Sequence, residues 1–264
     1  MRHDRFVGAD SEYAKRRALG LIDRFGITSS SEIDLEAIAW FLGVHIREAR
    51  MTGSEARLLR KGRRGIISVR KDVASEGRRR FSIAHELGHW ILHEGAGQWW
   101  VCSAEDIYAY VGGLQELEAN AFAAELVMPT PIFRPYCDRG TFGFMLVERL
   151  AELFCTSLTA TALRVVEHSP ERCCVVLSDG ENVHWSWRSG KLPDYEYFIP
   201  KGFRLRQSSK AWSSSFEGNS GMSKVPPMAW FPNLPSGRGF EVWEESRYLE
   251  GYGVVLTLLS VNEY

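Results

Sequence analysis

The stretch RRRFSIAHELGHWILHE, residues 78–94, holds at its centre His85-Glu86-Leu87-Gly88-His89, the pattern HExxH. Positions four apart lie one above the other on the same face of a helix. His85 and His89 can therefore offer their imidazoles to one metal ion, with Glu86 aimed at a water beside it. Phe81, Ile83, Ala84, Leu87, Trp90, Ile91 and Leu92 frame the pair. That flank is too apolar for a surface helix and suits one buried in a core. Gly88, just before the second histidine, lets another segment approach the helix closely.

Neutral imidazoles suit zinc, and a catalytic zinc site keeps a position open for water. The metal lowers the pKa of such a water to about 7, and Glu86 can take its proton as general base. A third ligand is available downstream in ELEANAFAAELVMP, residues 116–129. Its Ala, Leu, Glu and Met residues are strong helix formers, and Pro129 is a natural stop. Glu116 is favoured over Glu118 as the ligand. Glu116 and Asn120 are four apart and can face the metal helix together, so Asn120 can orient a ligand histidine through its second ring nitrogen. Ala119 and Ala123 permit close packing. Glu118 is expected to point elsewhere, and Glu125 to be a surface or helix-end charge. His93 falls four residues after His89, but a set spanning His85 to His93 outruns one ion's coordination sphere at about 1.5 Å rise per residue. It is expected as a helix-end cation favoured by the macrodipole.

The two motifs together resemble the ImmA/IrrE family of zinc metallopeptidases, bacterial and phage proteins that cleave transcriptional repressors. The resemblance runs from about Ile33 to Pro129 and thins towards Glu167. It implies a zincin-like helical core, zinc (Zn2+) bound by His85, His89 and Glu116, and Glu86 as general base. It also implies a protein substrate, a transcriptional repressor, in a stress or mobile-element response. The rival reading is a non-cleaving, zinc-containing regulatory module that binds a repressor or DNA. Glu86 argues against that rival, since a purely structural site needs no general base.

The chain has 264 residues, 45% of them hydrophobic, and a net charge of −1. That is enough for one large domain or two ordinary ones. The balanced charge gives no general attraction to nucleic acid or an anionic membrane. The N-terminal MRHDRFVGADSEYAKRR lacks the apolar segment of a signal peptide. Apolar runs such as Gly253–Leu259 are far too short to span a bilayer. Five cysteines without regular spacing suggest reduced thiols. A cytoplasmic protein without membrane contact is expected.

Taken in order, Glu12–Phe25 reads as an amphipathic helix closed by Gly26, and Ile33–Gly43 as a second, shorter one. Val44–Ala49, Glu55–Arg60 and Gly65–Arg70 read as strands, the last two joined by a hairpin turn. Gly65–Arg70 is the candidate edge for an extended peptide substrate. The arginines and lysines between Arg57 and Arg80 read mainly as a solvated face. Ser75 is the candidate N-cap of the metal helix. Residues 95–113, with Trp99, Trp100, Tyr108 and Tyr110, could cover a cleft or pack in a core.

Thr130-Pro131 and Pro135 mark an expected break. Phe144–Phe154 and Ser157–Glu167 read as helices with a helix-turn-helix cadence. Only Arg164 is basic in the second, so it is a weak DNA reader and is expected to pack on the peptidase core. From Arg172 the reading becomes β-rich. A hairpin over Cys173–Leu177 and Val183–Trp187 is followed by strands at Tyr195–Ile199, Phe240–Glu244 and Val254–Ser260, with a long loop over 207–238.

The expected fold class is α+β. A helical zincin-like metallopeptidase core with a small three-stranded sheet is followed by a helical segment and a C-terminal antiparallel β-rich domain. The expected domains are 1–168, ending in the helix-turn-helix-like stretch at about 142–168, and 169–264.

Overall fold

The computed structural model describes residues 10–93, 113–192, 197–231, 233 and 239–263. The fold is mixed α+β, as expected: helices and a three-stranded sheet come first, then further helices, then a five-stranded antiparallel sheet. The chain divides into two compact units. Among the described residues, one gathers those from 10 to 133 together with Leu150–Ser157, and the other gathers Arg134–Arg149 together with those from Leu158.

In the first unit, α1 spans Ser11–Arg24, with the Asp10 carboxylate capping it through Tyr13 N–H. Ala14, Ala18, Leu21 and Ile22 form its buried face, which follows from their 3.6-residue period. A shorter helix, α2, spans Leu35–Phe41 and is capped by Asp34. Strands β1 (Val44–Ala49), β2 (Ala56–Lys61) and β3 (Arg64–Arg70) form a sheet in the order β1-β3-β2. β3 runs parallel to β1 and antiparallel to β2. The expected edge strand is therefore the central one. The turn after β2 folds β3 back against it, while β1 closes its other side.

Two long helices complete this unit: α3, Glu76–Leu92, and α4, Leu114–Val127. Ser75 caps α3 by accepting Arg78 N–H, as its position predicts. Phe81, Ile83, Ala84, Leu87 and Trp90 bury α3. Full burial of a Leu- or Phe-sized side chain stabilises by about 1.5–3 kcal/mol, so the apolar frame of the HExxH is also what keeps it inside. Glu55, immediately before β2, is buried, pairs with Arg78 and accepts the Ser82 hydroxyl at 3.0 Å. These contacts fix α3 against the sheet.

Thr130–Arg139 forms α5 in place of the expected break. Pro131 lies in the first turn, where a missing N–H costs nothing, and Pro135 removes a single ladder bond. Glu125 is buried rather than superficial. Its carboxylate accepts Thr130 N–H at 2.7 Å and the Thr130 hydroxyl at 3.0 Å, which starts α5. Helices α6 (Phe144–Phe154) and α7 (Leu158–His168) follow.

In the second unit, β4 (Cys173–Ser178), β5 (Val183–Arg188), β6 (Ser223–Val225), β7 (Phe240–Leu249) and β8 (Val254–Glu263) run in the order β5-β4-β8-β7-β6. Helix α7 packs on β4 and β5 of this sheet. Its apolar face, with Ala162, Val165 and Val166, matches the buried residues of β4. Arg164, the only cation that could have read DNA from this helix, is 2% exposed and bonds Glu167 at 2.8 Å.

Two further expectations in this region change. Residues 195 and 196 lie outside the described residues. Tyr197–Ile199 form no strand, and their apolar alternation reflects Tyr197 and Ile199 filling the core. The segment expected as a loop over 207–238 holds helix α8, Lys210–Glu217, and strand β6. Its Ser-rich composition hides a helix start that is anchored by a buried glutamate elsewhere: Ala211 N–H donates to Glu244 at 2.6 Å.

Candidate metal centre

Helices α3 and α4 pack closely because of Gly88. A Cβ at Gly88 would meet Ala119 Cα at 3.1 Å and Phe122 Cδ1 at 3.2 Å. Ala119 and Ala123, both fully buried, complete the contact. This approach brings the first turn of α4 over the middle of α3.

His85, His89 and Glu116 meet there and could hold a metal ion. His85 Nε2 and His89 Nε2 lie 3.0 Å apart. Glu116 Oε2 is 3.2 Å from His85 Nε2, and Glu116 Oε1 is 3.3 Å from His89 Nε2. Ligands at about 2.0–2.1 Å from a tetrahedral zinc lie roughly 3.3 Å from one another. The donor set and its spacing thus fit such an ion. Both histidines are fully buried, and Glu116 is only slightly exposed.

Electrostatics prepares the same state. Burial pushes the His89 pKa down to about 4, against the opposing contact with the Glu116 carboxylate. Its imidazole is therefore neutral at pH 7, with a lone pair to give. Burial works to raise the Glu116 pKa, but the contacts with His85 and His89 outweigh it and hold the carboxyl below the usual carboxylate range. A neutral imidazole and an ionised carboxylate are the forms that bind a metal.

Asn120 Oδ1 lies 2.9 Å from His85 Nδ1. A carbonyl oxygen accepts, so His85 carries its proton on Nδ1 and leaves Nε2 facing Glu116. Glu86 is fully buried on the same turn of α3 as His85.

The residues that sequence reasoning placed elsewhere are His93 and Glu118. His93 is 7% exposed, with Nδ1 3.0 Å from His89 Nδ1 and Nε2 2.9 Å from Glu118 Oε2. The clue was its spacing: four residues after His89, it shares the metal face of α3. The aromatic segment thought able to cover a cleft lies, through residue 112, outside the described residues. The sheet edge against α3 is β2. The Arg60 guanidinium of β2 stacks 3.8 Å from the centre of the Trp90 ring and also hydrogen-bonds the Trp90 carbonyl.

An HExxH helix beside a small mixed sheet, with a carboxylate brought in from a second helix, is the framework of a metal-dependent peptidase class. Residues 41–165 match the peptidase M78 family model, described as an IrrE N-terminal-like domain. This part of the chain is thus similar to the ImmA/IrrE family that the two motifs resemble. A solved structure described as a Mycobacterium tuberculosis transcriptional regulator is similar at 12% identity and a TM-score of 0.59. The match covers 95% of this chain and 87% of that one. At that identity the likeness is one of fold. No curated protein matches the sequence. Among the described residues, no helix is long and apolar enough to cross a membrane.

Proposed function

We propose that the protein is a zinc-dependent endopeptidase that cleaves a transcriptional repressor in the cytoplasm. One observation carries the reading: two imidazole nitrogens and a carboxylate converge at 3.0–3.3 Å beside the buried Glu86. In this reading His85, His89 and Glu116 hold the metal, and Asn120 fixes the tautomer of His85. A bound zinc supplies a Lewis acid that polarises the scissile carbonyl and acidifies water. Glu86 takes the proton from the attacking water and passes it to the leaving amine. The outer strand β2, next to α3, holds the extended substrate through its main chain. The chemistry lies within residues 1–168, and residues 169–264 recognise the substrate or a signal. The family match supports peptidase chemistry. The similar structure described as a transcriptional regulator supports a regulatory setting.

The test is incubation of the zinc-loaded protein with candidate repressors, including any encoded beside it, with fragments read by mass spectrometry. Glu86→Gln is expected to lower the cleavage rate by about 10²–10⁴-fold, the typical contribution of a general base, while keeping its metal. A wild-type protein that binds a repressor and leaves it whole, with Glu86→Gln behaving identically, would point to the non-cleaving regulatory module instead.

A further inference from the structure

The two histidines of the metal centre are oriented by different devices. His85 is held directly by the Asn120 side chain. His89 is held through an intermediary, since its Nδ1 meets His93 Nδ1 at 3.0 Å and His93 Nε2 meets Glu118 Oε2 at 2.9 Å. Glu118 is itself anchored, because its Oε1 accepts Asp10 N–H at 2.8 Å at the start of α1.

The proton positions follow from these contacts. A carboxylate only accepts, so His93 donates its Nε2–H to Glu118. The other ring nitrogen of His93, Nδ1, faces His89 Nδ1. Two Nδ1 atoms at 3.0 Å hold one proton between them, and with His89 as a ligand through Nε2 that proton is the one on His89 Nδ1. The remaining lone pair of His89 is on Nε2, the atom that faces His85 and Glu116.

We propose that His93 and Glu118 are a positioning pair that sets the tautomer and ring orientation of His89, and through it the affinity for metal. Neither residue touches the metal or the substrate. Glu116, Glu118 and Asn120 thus give one five-residue stretch of α4 three tasks: a ligand, the end of the His89 relay and the His85 orienter. The inference rests on the reading of His85, His89 and Glu116 as ligands. In a buried chain of this kind each hydrogen bond polarises the next, and loss of such an outer partner typically costs 10–100-fold in metal affinity.

The experiment is a zinc competition titration against a chromophoric chelator, run beside the thermal midpoint of the metal-free protein. His93→Leu removes both hydrogen bonds and should weaken zinc binding by about 10–100-fold. Glu118→Ala leaves His93 in place and should weaken it by a smaller factor. His93→Gln carries an acceptor and a donor on one amide and should recover most of the affinity. If the wild type binds no zinc, the ligand reading fails and this inference goes with it. If the wild type binds and both His93→Leu and Glu118→Ala bind equally well, the positioning pair is refuted while the ligand set stands. Loss of affinity in His93→Leu that His93→Gln does not recover, or that only tracks a lower midpoint, would also refute it, leaving a packing role.

Discussion

Glu116 and Glu244 are both carboxylates withdrawn from water, and their surroundings are opposites. Glu244, on β7, is fully buried and collects donors: Trp230 Nε1–H at 2.7 Å, Ala211 N–H at 2.6 Å and the Ser246 hydroxyl at 3.3 Å. It ties α8 and the buried Trp230 to the sheet, and its hydrogen-bonding capacity is used by the protein itself. Glu116 faces His85 Nε2 and His89 Nε2, and His85 has its proton committed to Asn120 on the other side of the ring. Acceptors that converge from three side chains call for a cation. A buried carboxylate met by N–H groups is a structural tie, whereas one met by two oriented imidazoles could hold a metal ion.

Glu86→Gln probes the peptidase side of this contrast and has the largest expected effect, the loss of cleavage described above. Glu244→Ala probes the other side. It strips acceptors from the Trp230 indole and the Ala211 amide, and each orphaned buried group costs about 1–3 kcal/mol. Chemical denaturation should show a loss of about that size or somewhat more, with zinc binding unchanged. A fall in zinc binding would mean that the two regions are not energetically independent.

A smaller effect concerns pH. Burial raises the Glu244 pKa above its ordinary value, despite the opposing hydrogen bond from Trp230 and those from the backbone. The folded state therefore holds this proton more tightly than the unfolded chain does. The stabilisation is complete below the ordinary carboxylate range and is lost as pH rises through the raised folded value. The stability of the wild type relative to Glu244→Gln should accordingly fall with rising pH across that window. A difference that stays flat, or grows, would show that the donors outweigh burial.

The smallest effect is chemical. Burial pushes the thiols of Cys137 and Cys173 up to about 12 and that of Cys174 higher still, while Cys155 is exposed. Brief alkylation of the native protein, mapped by mass spectrometry, should label Cys155 and spare the other three.

Much of the candidate metal centre is legible in the sequence because its signals are local. HExxH places two imidazoles on one helix face, and the spacing from Glu116 to Asn120 repeats that geometry on the partner helix. Gly88 announced the close approach that joins them. The strands around Ile46, Leu58 and Ile67 were legible from their alternation, but their order was not, since pairing is set by long-range contacts. For that reason the alternation of β3 alone suggests an edge, while the sheet places it at the centre. Within their own helices alone, His93 and Glu118 suggest a terminal cation and a solvent-facing acid. Their meeting depends on how α3 and α4 pack. The same holds for α8, whose start is secured by Glu244 from a distant strand, and for α7, whose apolar face does not name its partner.

The most direct test of the account is the zinc content of the purified protein, with Glu116→Ala and Glu118→Ala alongside. The account predicts about one zinc per chain in the wild type, as a single catalytic site holds. It predicts near-complete loss in Glu116→Ala and retention at saturating zinc, with weaker affinity, in Glu118→Ala. A wild type that takes up no zinc when supplied with it, or a Glu116→Ala protein that keeps a full complement, would contradict it.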